Sequence, residues 1–210
     1  MDASPRHINP WVAMLYSPRE SIVRATERGE LSALAVLAIA QVPASIINAN
    51  AGTGAWDPGV VTMHVLKGLL LDGPLTAIAA MLFAFVVSEV LQGLGGETDR
   101  GSVWAAIAWS RLPLAYFAPA AVLAALLAPS GALEWLGVGI VPAQHSGTWR
   151  LNGLNTVTSL LEVWCLVLLA GSLSRVSGLP VRVAVLGSVI AAVMLGAAGA
   201  IIYALGTAIF

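Results

Sequence analysis

The stretch VRVAVLGSVIAAVMLGAAGAIIYALGTAI, residues Val181 to Ile209, contains a single charge, Arg182, near its start. A helix that crosses a hydrocarbon core of roughly 30 Å needs about 20 mostly apolar residues, and this stretch exceeds that. The run Val183 to Val193 shows no period-2 alternation, so it does not read as a strand of a membrane barrel. The remaining solution in lipid is a membrane-spanning helix. Composition agrees over the whole chain of 210 residues: 58% are hydrophobic and only 10% charged, with a mean hydropathy of +0.86. Ten basic and eleven acidic groups cannot coat a soluble globule of this size.

Working backwards from that helix, four more stretches pass the same test. They run from about Leu31 to Ala49, Leu69 to Leu94, Val103 to Ala128 and Val157 to Val176. Turn-forming residues separate them: Gly52 and Gly54 with Asp57-Pro58, Gly95-Gly96, Pro129 with Gly131, and Gly178 with Pro180. The expected fold is all-α, a polytopic bundle of five transmembrane helices. Residues 1–30 form a polar N-terminal segment and 31–210 the five-span domain. No cleavable signal peptide is expected in a start that carries Pro5, Pro10 and Pro18.

Orientation follows from the basic residues. Arg6, Arg19, Arg24, Arg28, Arg100, Arg111, Arg175 and Arg182 fall on one side of a five-span chain, and only Lys67 and Arg150 on the other. The positive-inside rule then places the N-terminus in the cytoplasm and the C-terminus outside, in a cell membrane. Within the N-terminal segment, Ser17-Pro18-Arg19-Glu20 is a capping box with proline at the first helical position. The helix it starts mixes Ile22 and Val23 with Arg19, Arg24 and Arg28, and Trp11 precedes it. That pattern reads as an amphipathic interfacial helix contacting lipid headgroups, or as a docking surface for a cytoplasmic partner.

Charged groups inside a span cost about 2.5–3.5 kcal/mol on insertion scales, so each needs a reason. Glu89 and Arg111 lie at similar depth on either side of the Gly95-Gly96 turn, where an interhelical ion pair would neutralise both. Asp72 and Glu162 fall in the outer halves of their spans. If they met, they would share a proton, as a proton or cation carrier requires. Alternatively, Asp72 caps the helix beginning Gly73-Pro74, and Glu162 faces water or pairs with Lys67 or Arg150. In the last span Ser188, Ala192, Gly196, Ala200, Ala204 and Ala208 recur every four positions, a smooth face for a close helix neighbour. That neighbour is another span of the chain or a second copy, whose homo-oligomer contact would run through Gly196, Ala200 and Ala204. Pro43, Pro113 and Pro119 should bend their spans.

Catalytic, metal and nucleic-acid signals are missing. His7, His64 and His145 are scattered, Cys165 is the one cysteine, and there is no nucleophile elbow or phosphate-cradling loop. A formal charge of −1 leaves no basic footprint for nucleic acid. No enzyme activity, cofactor or metal is expected.

The order of these features resembles the Yip family, the Ypt/Rab-GTPase-interacting membrane proteins, and above all its bacterial branch. The resemblance rests on Asn9-Pro10-Trp11 followed by Ser17-Pro18-Arg19, and on Leu71-Asp72-Gly73-Pro74. It continues through Gly95-Gly96 leading by Ala106-Ile107-Ala108-Trp109-Ser110 to Pro113, then Glu162-Val163-Trp164 and Pro180-Val181-Arg182. It implies five spans, a cytoplasmic N-terminus and an outer C-terminus, and eukaryotic relatives are associated with Rab GTPases and vesicle traffic. This chain has a shorter N-terminal segment and lacks the tyrosine of the Asp-Leu-Tyr-Gly-Pro form, and a bacterial-type member has no Rab to bind.

Three functional classes follow. The first is a non-enzymatic scaffold or adaptor in membrane organisation, partnered by lipid and a cytoplasmic or membrane protein. The second is a transporter or channel for a proton, ion or small solute built on Asp72 and Glu162. The third is lipid binding or remodelling. The scaffold reading is preferred because the sequence shows no Gly/Pro-interrupted pair of repeats.

Overall fold

Backbone amides in hydrocarbon have no water to bond, so a long apolar run folds into a structure that closes its own hydrogen bonds. The structure, a computed structural model, describes residues 30–53, 58–127 and 153–209. Among these there is no strand. The expected amphipathic helix with Trp11, Arg19, Arg24 and Arg28 lies outside the described residues.

The helices in chain order are α1 (Glu30–Ala40), α2 (Val42–Thr53) and α3 (Pro58–Lys67), then a π-helical turn over Gly68–Asp72. There follow α4 (Gly73–Gly93), α5 (Arg100–Ser110), α6 (Leu112–Leu127), α7 (Gly153–Ser177) and α8 (Val181–Ile209). Three of the boundaries share one local pattern: a polar residue, one further residue, then proline. They are Gln41-Val42-Pro43, Asp72-Gly73-Pro74 and Arg111-Leu112-Pro113. Proline has no N–H, and its ring clashes with the carbonyl four residues back, so it fits a helix's first turn and kinks or breaks the interior.

The chain responds by restarting the helix. Pro43, Pro74 and Pro113 are each the second residue of a new segment, α2, α4 and α6. The joints tighten or widen accordingly. Gln41 N–H bonds the Ala38 carbonyl at 3.3 Å and Arg111 N–H the Ala108 carbonyl at 3.1 Å, both three residues back. Gly73 N–H reaches five residues back to Gly68. Pro119, by contrast, stays inside α6.

Four helices are long and apolar enough to cross a membrane: Pro58–Gly93, Arg100–Leu126, Thr156–Ser177 and Val181–Ile201. The expected first span is shorter and interrupted. Its apolar part is Ser32–Asn48, broken at Gln41. The second begins eleven residues before the expected Leu69. Its 36 residues extend about 54 Å, beyond a hydrocarbon core of roughly 30 Å. Lys67 and His64 mark where its polar end begins, which leaves Gly68–Gly93 as the apolar portion.

The chain divides into two compact units, one from Glu30–Ile78 with Ala108–Val167, the other including Ala79–Ile107 with Leu168–Phe210. In the first, the core gathers Val42, Ile46, Val61, Ala118, Ala121, Ala125 and Leu154. The alanines at 118, 121 and 125 share one face of α6, which packs on α1 and α2. Glycines set the closest approaches here. A Cβ on Gly73 would lie 2.7 Å from the Ala38 Cα, and one on Gly68 would lie 3.1 Å from the Ser45 hydroxyl. In the second unit, a Cβ on Gly187 would stand 2.7 Å from a methyl of Leu91. Ala184, Gly187 and Ala191 are the buried face of α8. The every-fourth ladder is not: Ala192, Gly196 and Ala200 are exposed, and nothing described lies within 4 Å of a Cβ on Gly196.

Many large apolar side chains face out, although Trp109, Leu37, Ile46, Leu91, Leu112 and Leu173 are buried. Leu70, Leu75, Met81, Phe85, Leu160, Trp164, Val193 and Met194 are exposed, and only 17% of the α8 span is buried. Water disfavours so large a continuous apolar surface, whereas lipid tails accept it. These four helices therefore belong to a multi-pass integral membrane protein.

Replacing Gly73 with alanine forces α1 and the π-helical turn apart and lowers stability by about 1–3 kcal/mol. Gly93→Ala, with nothing within 4 Å, is neutral or stabilising. Denaturation of the purified protein in detergent distinguishes the two, and a Gly73→Ala protein as stable as wild type would contradict the close crossing.

Candidate functional site

The first unit concentrates its polar groups where its helices are interrupted. Residues five apart on an α-helix stand about 140° apart around the axis. The π turn, closing on the fifth residue, brings Lys67 and Asp72 to one side, Nζ to Oδ1 at 3.9 Å. The other carboxylate oxygen accepts a 2.5 Å hydrogen bond from the Ser45 hydroxyl, which comes from the first turn of α2. Ser45 is only 4% exposed. Other hydroxyls at Thr62, Thr158, Ser172, Ser177 and Ser188 each bond the carbonyl four residues back on their own helix. Ser45 instead donates across to another segment. Asp72 is thus neither a simple helix cap nor a free acid. It joins the π-helical turn to the α1–α2 break, and its side chain keeps 29% exposure.

Glu162 has a different neighbourhood. It is exposed on α7, one turn before the buried free thiol of Cys165. That thiol lies against the Leu114 backbone and within electrostatic reach of both Arg111 and Glu162. The half-buried Arg111, at the joint between α5 and α6, therefore faces this part of α7. His64, on α3, has a buried Nδ1 without a hydrogen-bond partner among the described residues.

Glu89, expected opposite Arg111, is held by Arg100 at 2.8 Å. The reason is local. Gly95, at φ +89, takes a left-handed conformation that reverses the chain after α4 and returns the start of α5 over the last turns of α4. Arg100 then sits 4.4 Å above the Phe85 ring as well. Both partners are about half exposed or more, so the pair contributes at most about 1 kcal/mol. The same reversal packs the loop on the α7–α8 turn: Glu97 N–H donates to the Ser177 carbonyl, and a Cβ on Gly96 would meet Leu179 at 2.9 Å.

Sequence reasoning passed over Ser45, Lys67 as the partner of Asp72, and Arg100 as the partner of Glu89. Ser45 is 27 positions from Asp72 and has no local signal. The Lys67–Asp72 spacing suggests a pair only once a π turn is known. Compared with known proteins, the chain matches no family model, no curated protein and no solved structure.

Asp99 caps α5. One carboxylate oxygen accepts the Ser102 N–H at 3.0 Å, the other the Ser102 hydroxyl. The Ser102 hydroxyl bond, then the Ser102 amide, hold the carboxyl below its ordinary range. A carboxyl lowered in the folded state contributes fully above its unfolded value and loses that contribution as pH falls through the folded one. Asp99→Ala therefore costs about 0.5–2 kcal/mol at neutral pH. The gap from wild type narrows below about pH 4. Unfolding measured in detergent across that range tests this, and a gap unchanged at acid pH would contradict it.

Proposed function

We propose that the chain is a non-enzymatic scaffold or adaptor of a cell membrane, a bacterial Yip-like protein that works through lateral contacts of its helices. The observation that carries this is α8. Its buried side is Ala184, Gly187 and Ala191, while Ala192, Gly196 and Ala200 stand exposed on a helix only 17% buried over its span. Helices in lipid associate by close packing of such small residues. The partner is a membrane helix of another protein or of a second copy, with Ala204 continuing the same row. Asp72 and Glu89 are already engaged within the chain, which fits a structural role for both.

Five crossings, with α1 and α2 together as the first, fit the charges best. With that crossing, eight of the ten basic residues share a side with the N-terminus; without it the N-terminal arginines join Lys67 and Arg150, and the split falls to six against four. Contact between the 94–99 loop and the α7–α8 turn supports the part of this count that puts both on one side. The N-terminus is then cytoplasmic, the C-terminus outside, and Trp11, Arg19, Arg24 and Arg28 lie against anionic headgroups of the inner leaflet.

Leucine at Gly196 and Ala200 fills the smooth face. The scaffold reading expects a cross-linked complex in native membranes that the double variant loses while keeping its fold. A protein that forms no complex, or the same complex with both leucines, would count against it.

A second reading has its own observation. Asp72 sits where an interrupted helix pair meets a π-helical turn, the kind of backbone that lines ion and solute sites in membranes. It expects proton or cation flux in proteoliposomes that Asp72→Asn abolishes. Wild type without flux over a broad ion panel would dismiss it.

A further inference from the structure

The α7–α8 turn encloses an open cleft of about 400 Å³ whose lining includes Gly171, Ser174, Arg175, Leu179 and Val181. Its depth follows from its place in the chain. It lies between the ends of two spans, Thr156–Ser177 and Val181–Ile201, so it stands where hydrocarbon gives way to headgroups. The turn is rigidly built. Ser174 Oγ donates to the Leu179 carbonyl at 2.7 Å, while Ser177 Oγ accepts from the Leu179 N–H at 3.3 Å and donates to the Leu173 carbonyl. Gly178 takes φ +68, and a Cβ there would meet open space.

Among the described residues no acidic side chain offsets the charge at this cleft. Arg175 suits the end of α7, where the helix dipole favours a cation. Arg182, next to the lining residue Val181, lies in the first turn of α8, where the dipole disfavours one and no acidic residue offsets it. Both arginines are exposed, and neither has a hydrogen bond or ion pair among the described residues. Among the described residues the acid Glu97 reaches this turn through its backbone, its N–H donating to the Ser177 carbonyl, and forms no salt bridge with either arginine. The Arg175 guanidinium in the lining, the basic Arg182 one residue beyond it, apolar Leu179 and Val181 and headgroup depth match the phosphate of an anionic lipid whose acyl chains run down the exposed faces of α7 and α8.

We propose that this cleft is a binding site for the headgroup of an anionic phospholipid, held by Arg175 with Arg182 in the same leaflet. The site goes beyond the scaffold reading and does not depend on it. The test uses full-length protein in detergent and native mass spectrometry with added phosphatidylglycerol or phosphatidylcholine. Wild type is expected to retain one phosphatidylglycerol in preference to phosphatidylcholine. R175Q with R182Q weakens that retention by about tenfold or more. Glu97→Gln strengthens it, and R100Q, whose arginine is already paired with Glu89, leaves it unchanged. Thermal stability in the absence of anionic lipid stays at the wild-type value in the double variant and in Glu97→Gln, which separates binding from folding. Equal retention of the two lipids, or retention unaffected by R175Q with R182Q, would overturn the assignment. Inorganic phosphate stabilising the protein as much as phosphatidylglycerol does would overturn the lipid as the source of the phosphate group.

Discussion

In hydrocarbon each backbone N–H and carbonyl must be satisfied inside the protein, at a cost of several kcal/mol for each one that is not. Proline removes a donor and displaces an acceptor, so a proline within a span strains the helix around it. At Pro43, Pro74 and Pro113 the chain restarts its helix, and the residue two positions earlier is polar each time: Gln41, Asp72 and Arg111. The joints differ, with bonds three residues back at Gln41 and Arg111 and a π-helical turn at Gly68–Asp72. The first unit's polar chemistry gathers at these joints. Asp72 reaches Lys67 because of the π turn, and Ser45 because the restart of α2 passes close to Gly68.

Packing follows the same economy. Where segments approach most closely the residue is glycine, at 68, 73 and 187, and the buried faces are rich in alanine. Many large apolar side chains can stay on the outside because lipid tails are as apolar as they are. Dispersion between closely spaced backbones takes the place of the hydrophobic core of a soluble protein. That leaves α8 with two smooth faces of different fate. One receives Leu91 at Gly187, and the other, through Ala192, Gly196 and Ala200, stays uncovered by the described residues.

Much of this was legible in the chain. Apolar length without period-2 alternation announced spanning helices, and the last three spans appear where hydropathy put them. The first did not keep its expected form. Val42-Pro43 within the run Leu31–Ala49 was read as a bend, and proline's steric demand turned it into a break. The smooth ladder of α8 was visible, but its orientation was not. Period-4 spacing identifies a face without saying whether the neighbouring face, Ala184, Gly187 and Ala191, packs better. Glu89 shows the same limit. The sequence pattern points to Arg111 as its partner, yet the turn at the positive φ of Gly95 delivers Arg100.

Local chemistry thus dictated the membrane, the helices and the places where they break, because hydropathy, proline sterics and glycine freedom act over a few neighbouring residues. Pairing among polar groups came from the fold. Ser45 and Asp72 are 27 residues apart and meet only because Gly68 and Gly73 let two interrupted helices cross almost backbone to backbone. In the sequence Arg175 and Arg182 mark only a membrane side. The cleft that Arg175 lines, with Arg182 next to its edge at Val181, exists because the Ser174 and Ser177 hydroxyls shape the turn between their helices. Such contacts depend on how far apart whole helices stand, a distance that no short stretch of sequence encodes.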